Sequence, residues 1–456
     1  MELISPTDSM FLIGESREHP MHVAGLQLFE PPEDSGPDFV RDLYQTIVKN
    51  DDFQPTFRKH PGRLLGGISN VAWAFDDEVD IDYHLRRSAL PGPGRIRELL
   101  ELTSRLHGTL LDRHRPLWEA HLVEGLEDGR FAIYTKMHHS LLDGISAQRL
   151  MIRSMSPDPD DLEIRVPWTI GPKRTSKDSK QSGSAVQTIT GAVGSVASLA
   201  PSTLSVARAA LLDQQLTLPF RAPKTMFNVT IGGARRVAAQ SWPLARIRAI
   251  KSAAGVTVND VVLAMCSGAL RAYLIELDAL PDTPLVAMVP VSLRAQNEQD
   301  AGGNMVGTIL CNLATDITDP AKRLDAINTS MRDNKKVFAE LPRNQALALS
   351  AFLMSGIALA LVPGFVSSAP PPFNIVISNV PGAREPMYWK GARLDGNYPL
   401  SIALDGQALN ITLTNNADNL DFGLIGCRRS VPHLQRLLVH LEDSLAELEQ
   451  AAGIVT

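Results

Sequence analysis

Between residues 172 and 202 the sequence changes character, and that break constrains the fold more than any other feature. Lys173-Arg174-Thr175-Ser176-Lys177-Asp178-Ser179-Lys180-Gln181-Ser182-Gly183-Ser184 is polar and turn-rich, and an Ala/Ser/Gly/Val segment follows it. A chain of 456 residues exceeds one ordinary compact unit, so the break reads as a junction. The expected division is an N-terminal domain over 1–171, a linker with a mobile or helical excursion over 172–222, and a C-terminal domain over 223–456. Within the linker, Ala185 to Leu212 reads as helical, its small residues suited to close packing or to a lipid-facing surface.

Both halves alternate strand and helix patterns, which defines a mixed α/β class. In the first, His22 to Glu30, Ile68 to Phe75, Trp118 to Glu124 and Phe131 to Met137 read as strands. Pro37 to Lys49, Arg95 to Leu110 and Ile145 to Met155 carry apolar residues at helical spacing. In the second, Leu285 to Leu293, Phe373 to Val380, Ser401 to Leu404, Leu409 to Thr414 and Leu420 to Ile425 read as strands. Val258 to Leu277, Pro320 to Leu341 (with Asp319 as N-cap) and Pro432 to Gln450 read as helices. The most apolar stretch, Ala346 to Val362, stops short of the roughly 20 residues a membrane span requires. It reads as a buried core helix, with a membrane-surface or channel helix as the alternative.

Composition excludes some functions. A formal net charge of -6 is the wrong sign for a nucleic-acid surface. Three widely spaced cysteines, Cys266, Cys311 and Cys427, give neither a disulfide framework nor a CxxC metal site. The start Met1-Glu2-Leu3-Ile4-Ser5-Pro6 lacks the basic and apolar pattern of a signal peptide. A cytoplasmic setting is expected.

The chemistry lies where the strand pattern ending at Met137 runs into His138-His139-Ser140-Leu141-Leu142-Asp143-Gly144. An imidazole titrating near neutrality can remove a proton from an attacking hydroxyl, and His139 is the candidate base. Strand side chains alternate faces, so His138 points the other way and is structural or accessory. Asp143 can orient the imidazole or hold the loop by pairing with an arginine, and Gly144 admits a backbone shape or a close approach. No metal is expected: adjacent histidines rarely converge on one ion, and no second ligand cluster is spaced to complete a site. A Ser-nucleophile hydrolase is disfavoured because no Gly-x-Ser-x-Gly elbow occurs.

These residues match every fixed position of HHxxxDG, and further landmarks follow in order. They are Ser5-Pro6-Thr7-Asp8-Ser9-Met10-Phe11, Pro20-Met21-His22-Val23, Pro116-Leu117-Trp118-Glu119, Asn259-Asp260, Pro290-Val291-Ser292-Leu293-Arg294, Gly303-Asn304 and Ser378-Asn379-Val380-Pro381-Gly382. The chain thereby resembles the bacterial wax ester synthase/acyl-CoA:diacylglycerol acyltransferase family over essentially its whole length apart from the linker. HHxxxDG alone is shared with nonribosomal-peptide condensation domains and other CoA-dependent acyltransferases.

The resemblance implies two chloramphenicol-acetyltransferase-like domains, each a mixed β-sheet packed with helices, with a tunnel between them. Acyl-CoA and a diacylglycerol or long-chain alcohol would reach His139 from opposite faces, giving triacylglycerol or wax ester. Acyl-CoA is then a co-substrate, no cofactor is held, and the working surface includes a peripheral membrane or lipid droplet. The resemblance makes Asp143 the partner of an arginine, Arg58 or else Arg294. Asn259 and Ser292 are candidate oxyanion donors, although Asn259-Asp260 at a helix start also reads as a cap. Trp118 reads as packing, and no CoA-binding residue is singled out. An acyltransferase for another hydroxyl or an amine, or a non-catalytic lipid-binding homologue, are the competing readings.

Overall fold

The computed structural model describes residues 2–63, 69–171, 217, 219–292, 306–341, 345–346, 349–350, 352–354 and 364–454. Arg294, Gly303-Asn304, most of the 172–222 linker and much of the apolar stretch 346–362 lie outside the described residues.

The N-terminal half contains strands β1 (Glu2–Leu3), β2 (His22–Glu30), β3 (Lys59–Arg63), β4 (Ser69–Phe75), β5 (Leu85–Ala89), β6 (Trp118–Glu124) and β7 (Phe131–His138). Its helices are α1 (Pro6–Gly14), α2 (Phe39–Val48), α3 (Ile81–His84), α4 (Ile96–His107) and α5 (Gly144–Arg153). The C-terminal half adds β8 (Arg235–Pro243), α6 (Leu244–Ala254), α7 (Val258–Glu276), β9 (Val286–Ser292), β10 (Val306–Asn312), α8 (Pro320–Glu340) and α9 (Phe365–Ser368). It ends with β11 (Ile375–Ala383), β12 (Tyr388–Trp389), β13 (Ala392–Leu400), β14 (Leu409–Asn416), β15 (Asn419–Cys427) and α10 (Arg436–Ala451).

The strands form two six-stranded sheets, ordered β12-β13-β2-β7-β6-β5 and β10-β9-β11-β14-β15-β8, and a small sheet β1-β4-β3. β7 is central in the first sheet and buried along its whole length. β6 alternates apolar and polar residues from Trp118 to Leu122 and β7 opens on the apolar run Phe131 to Tyr134, which is why both are legible in the sequence. Each half has its own core, and a third cluster joins Leu26, Leu99 and Tyr134 of the first half to Val237, Tyr398 and Leu400 of the second.

The division at 171 and 223 is crossed by two strands of the first sheet. β12 and β13, from deep in the C-terminal half, complete the first sheet, with β13 pairing antiparallel to β2 from Arg393 opposite Glu30 to Leu400 opposite Ala24. The expected strand over Ser401–Leu404 is absent; the chain has already left the sheet after Leu400. β11, expected to end at Pro381-Gly382, runs on to Ala383 through a register shift between Val380 and Ala383. A Cβ at Gly382 would sit 1.9 Å from the Asn415 carbonyl oxygen, so the irregularity needs glycine.

α7 is long and apolar enough to cross a membrane, but its apolar residues fill the C-terminal core. Thr257 and Asp260 cap it reciprocally: the Thr257 hydroxyl accepts from the Asp260 N–H, and the Asp260 carboxylate accepts from the Thr257 N–H. Asn259-Asp260 therefore includes a helix cap.

Candidate active site

β7 places alternate side chains on opposite faces. Ile133 and Met137 enter the N-terminal core, whereas Tyr134, Lys136 and His138 form a buried polar row on the other side. The Tyr134 hydroxyl lies 2.9 Å from Nδ1 of His107, and Lys136 Nζ donates to the carbonyls of Leu106 and Thr109 at the end of α4. Burial is costly for the Lys136 ammonium and lowers its pKa, and the nearby Glu119 carboxylate partly offsets this. The row is thus tied to neighbouring main chain and carboxylates.

The end of β7 is held by segments distant in sequence. The His138 N–H donates to the Leu117 carbonyl at 2.9 Å, and the His139 N–H to the Met21 carbonyl at 2.8 Å. The landmarks Pro116-Leu117-Trp118 and Pro20-Met21-His22 therefore clamp the two histidines through main chain. Trp118 itself is fully buried, stacked on Trp168 and on His84 with ring centroids 4.6 Å apart in each case, and its indole donates to the Phe57 carbonyl. It packs, as its residue type suggested. Removing so large a buried ring would cost about 3–5 kcal/mol.

His138 is fully buried. Its Nδ1 lies 2.6 Å from the Ser140 hydroxyl, and its Nε2 lies 3.4 Å from Glu15, too far for a well-formed hydrogen bond. Glu15 is held in turn by Arg113, whose Nε donates to it at 2.9 Å.

His139 is arranged differently. Its ring stacks on Phe11 of α1, with centroids 4.1 Å apart and planes inclined by 18°. Nδ1 is sealed from solvent and has no hydrogen-bond partner among the described residues, whereas Nε2 is not among the sealed, unpartnered atoms. Burial drives the pKa of His139 down to about 4; Asp143 and the residue's own main chain pull it upward, and His138 pushes it down. The ring is therefore a neutral base at physiological pH, with Nε2 the nitrogen available to a substrate.

Asp143 does not pair with Arg58. Its carboxylate accepts the Ser146 N–H at 2.7 Å and caps α5. The Arg58 guanidinium donates instead to the carbonyls of Asp76 and Asp77, at 2.8 and 2.6 Å, and no ion pair joins it to Asp143 among the described residues. The reason is local: the Asp-Gly step opens a helix, and its first turn offers an N–H that needs an acceptor. Gly144, the first residue of α5, has no positive φ, and a Cβ built there meets no described atom within 4 Å. Neither backbone shape nor protein packing requires glycine there; what remains of the expectation is approach by a molecule other than the protein.

Asn259 lies in the first turn of α7, and its side chain makes no hydrogen bond with the described residues. Ser292 ends β9, and its side chain lies outside the described set, as does Arg294. None is brought to His139 by a described contact. Among the described residues no group of three His, Cys, Asp or Glu side chains could hold a metal ion. Sequence reasoning missed Phe11 and Glu15. Phe11 stood inside a recognised landmark, but nothing in the linear order aimed it at residue 139.

Two mixed α/β halves, C-terminal strands completing the first sheet and a partly accessible histidine at the end of a central strand make up a fold of the condensation-domain type. The starter condensation domain of rhizomide synthetase, solved with C8-CoA and Leu-SNAC, is 12% identical, with a TM-score of 0.55 over 99% of this chain and 94% of that one. That likeness concerns the fold alone. The wax ester synthase/diacylglycerol acyltransferase catalytic domain matches residues 4–262, and the C-terminal domain of the same family matches residues 302–449. The Mycobacterium tuberculosis protein named "Probable diacyglycerol O-acyltransferase tgs2" is 66% identical over 454 residues, covering 100% of both chains. The solved wax ester synthase/diacylglycerol acyltransferase from Marinobacter aquaeolei VT8 is 42% identical with a TM-score of 0.81, covering 99% of this chain and 100% of that one. The chain belongs to the wax ester synthase/diacylglycerol acyltransferase family.

Proposed function

We propose that this O-acyltransferase moves a long-chain acyl group from acyl-CoA to the free hydroxyl of diacylglycerol, making triacylglycerol, or to a fatty alcohol, making wax ester. The observation that carries the reading is the state of His139, with Nδ1 sealed, Nε2 left for a substrate and the ring neutral. Nε2 takes the hydroxyl proton as the oxygen attacks the thioester carbonyl. The tetrahedral species collapses with cleavage of the C–S bond, and the same proton passes to the departing sulfur, releasing CoA as its thiol. No acyl-enzyme is required. A tunnel between the halves would let donor and acceptor approach from opposite faces. The names of the relatives support both acceptors.

The enzyme would work in the cytoplasm, peripherally on a membrane or lipid droplet. Leu3 of β1 and Ile13 of α1, 78% and 72% exposed, support contact with lipid.

Purified protein given a long-chain acyl-CoA and diolein, hexadecanol or monoacylglycerol should release CoA with at least one acceptor. His139→Ala should lose at least about a hundredfold. Full activity in that variant would sink the assignment of the base.

A further inference from the structure

We propose that Phe11 is a positioning residue of the acyl transfer, its ring serving as the flat support that fixes the plane of the His139 imidazole. The inference rests on His139 as the base.

A catalytic histidine is ordinarily oriented by a third group that accepts from its second ring nitrogen. Among the described residues no side chain supplies that group, and the pull of the residue's own main chain is the one hydrogen-bonding contribution to the ring. The Asp143 carboxylate is committed to the Ser146 N–H, and Nδ1 of His139 meets no side chain with which it could hydrogen-bond among the described residues. One side-chain contact does define a plane for the ring, the near-parallel stack on Phe11 at 4.1 Å and 18°. Aromatic pairs have preferred geometries and are worth about 0.5–1.5 kcal/mol beyond the area they bury.

α1 is built to deliver that ring. Three successive residues point three ways, as the helical period demands. Leu12 enters a small core with Ile4, Trp73, Leu111 and Leu117; Ile13 is exposed; Phe11 turns to His139. Phe11 is not part of that core, so its contact with the imidazole is not a by-product of holding the helix in place. The helix is fixed by other means. Ser5 caps its start, the Ser9 hydroxyl donates to the Asn70 carbonyl, and Glu15 at its end meets both Arg113 and His138. The first histidine of the motif thus anchors the helix whose aromatic ring supports the second. The charged or titratable groups acting on His139 are Asp143 and His138, while Glu15 and Asp8 of the α1 segment act on His138.

The test compares Phe11→Leu and Phe11→Met, which stay apolar but lose the flat face, with Phe11→Tyr, which keeps it. Steady-state kinetics with acyl-CoA and diolein would be measured from pH 4 to 8, after circular dichroism establishes folding. Leu and Met should lower kcat about five- to tenfold, the worth of one aromatic pair, with KM for acyl-CoA within about twofold. Their acid limb should move upward by roughly one pH unit as the imidazole is hydrated. Tyr should restore most of kcat. Wild-type kcat with an unmoved acid limb in either Leu or Met would overturn the proposal, and so would a Tyr variant as impaired as Leu. His139→Asn tests the underlying reading separately: if it stays active, the base is misassigned whatever the Phe11 variants do.

Discussion

The carboxylate of Glu15 lies 3.4 Å from Nε2 of the fully buried His138, so the first histidine of the motif is joined to the N-terminal helix rather than to the reacting groups. Burial pushes the Glu15 carboxyl up, yet His138 and Arg113 together carry it below its ordinary range. A depressed carboxylate contributes stability that is present above its unfolded pKa and lost as pH falls through the folded one. At neutral pH Glu15→Gln therefore leaves Arg113 without its anion and should destabilise the protein by about 3 kcal/mol. Urea unfolding checks it; an unchanged midpoint and slope would remove Glu15 from the structural role assigned to it.

The buried histidines next to this row predict how acid affects the whole fold. Burial holds His107 at a pKa of about 3, against a pull upward from the Ser401 carbonyl and with Arg235 and Lys136 pushing further down. His22 is lowered in the same direction, chiefly by burial, with His107 and Lys136 adding to it. Between pH 3 and 6.5 the unfolded chain binds the His107 proton and the folded one does not, and His22 acts in the same direction, so stability must fall as pH falls through that window. For His107 alone the loss between pH 7 and pH 5 is about 2 kcal/mol. His107→Gln should therefore show a shallower stability loss than wild type when both are unfolded by urea at pH 7 and pH 5. Parallel losses would show that His107 is not held neutral.

Asp143 separates a cap from a charge. Asparagine caps helices about as well as aspartate, so Asp143→Asn should keep stability within about 0.5 kcal/mol, while Asp143→Ala should lose about 1 kcal/mol. Removing the negative charge also removes an upward pull on the His139 pKa, which weakens the base and should slow turnover a few-fold in both variants. Thermal melts and initial rates decide it. If Asn is as unstable as Ala, a charged partner for Asp143 must be sought after all.

How much of this was legible in the sequence depends on the range of the forces involved. β2, β6 and β7 show themselves because buried strands need continuous or alternating apolar residues, and Asp319 announces a helix through a cap that reaches only two and three residues on. The capping role of Asp143 carried a similar local signal, an Asp two residues before the helical pattern that begins at Ile145, but the resemblance pointed to an arginine partner instead. β13 was missed because Ala392–Leu400 contains Gly396 and Pro399 and has weak intrinsic strand character; its structure comes from pairing with β2, more than 300 residues away. The Phe11 stack is a tertiary contact of the same kind. No periodicity within α1 could aim a ring at a strand end that lies 128 residues downstream.

Gly144 offers the sharpest test of where substrate passes. A glycine at the first position of a helix is normally replaceable, because alanine loses less backbone entropy on folding. Here the backbone has no positive φ, and the added methyl group would meet no described atom within 4 Å, so the fold gives alanine no penalty. Gly144→Ala should leave urea stability unchanged or raise it by up to about 1 kcal/mol. If the space beside Gly144 belongs to the substrates, the same methyl group narrows their path next to His139, and kcat/KM for acyl-CoA or for the acceptor should fall about tenfold or more. Rates measured with each substrate varied in turn tell which of the two is obstructed. A stable variant with wild-type kinetics for both would mean that neither substrate passes over this glycine.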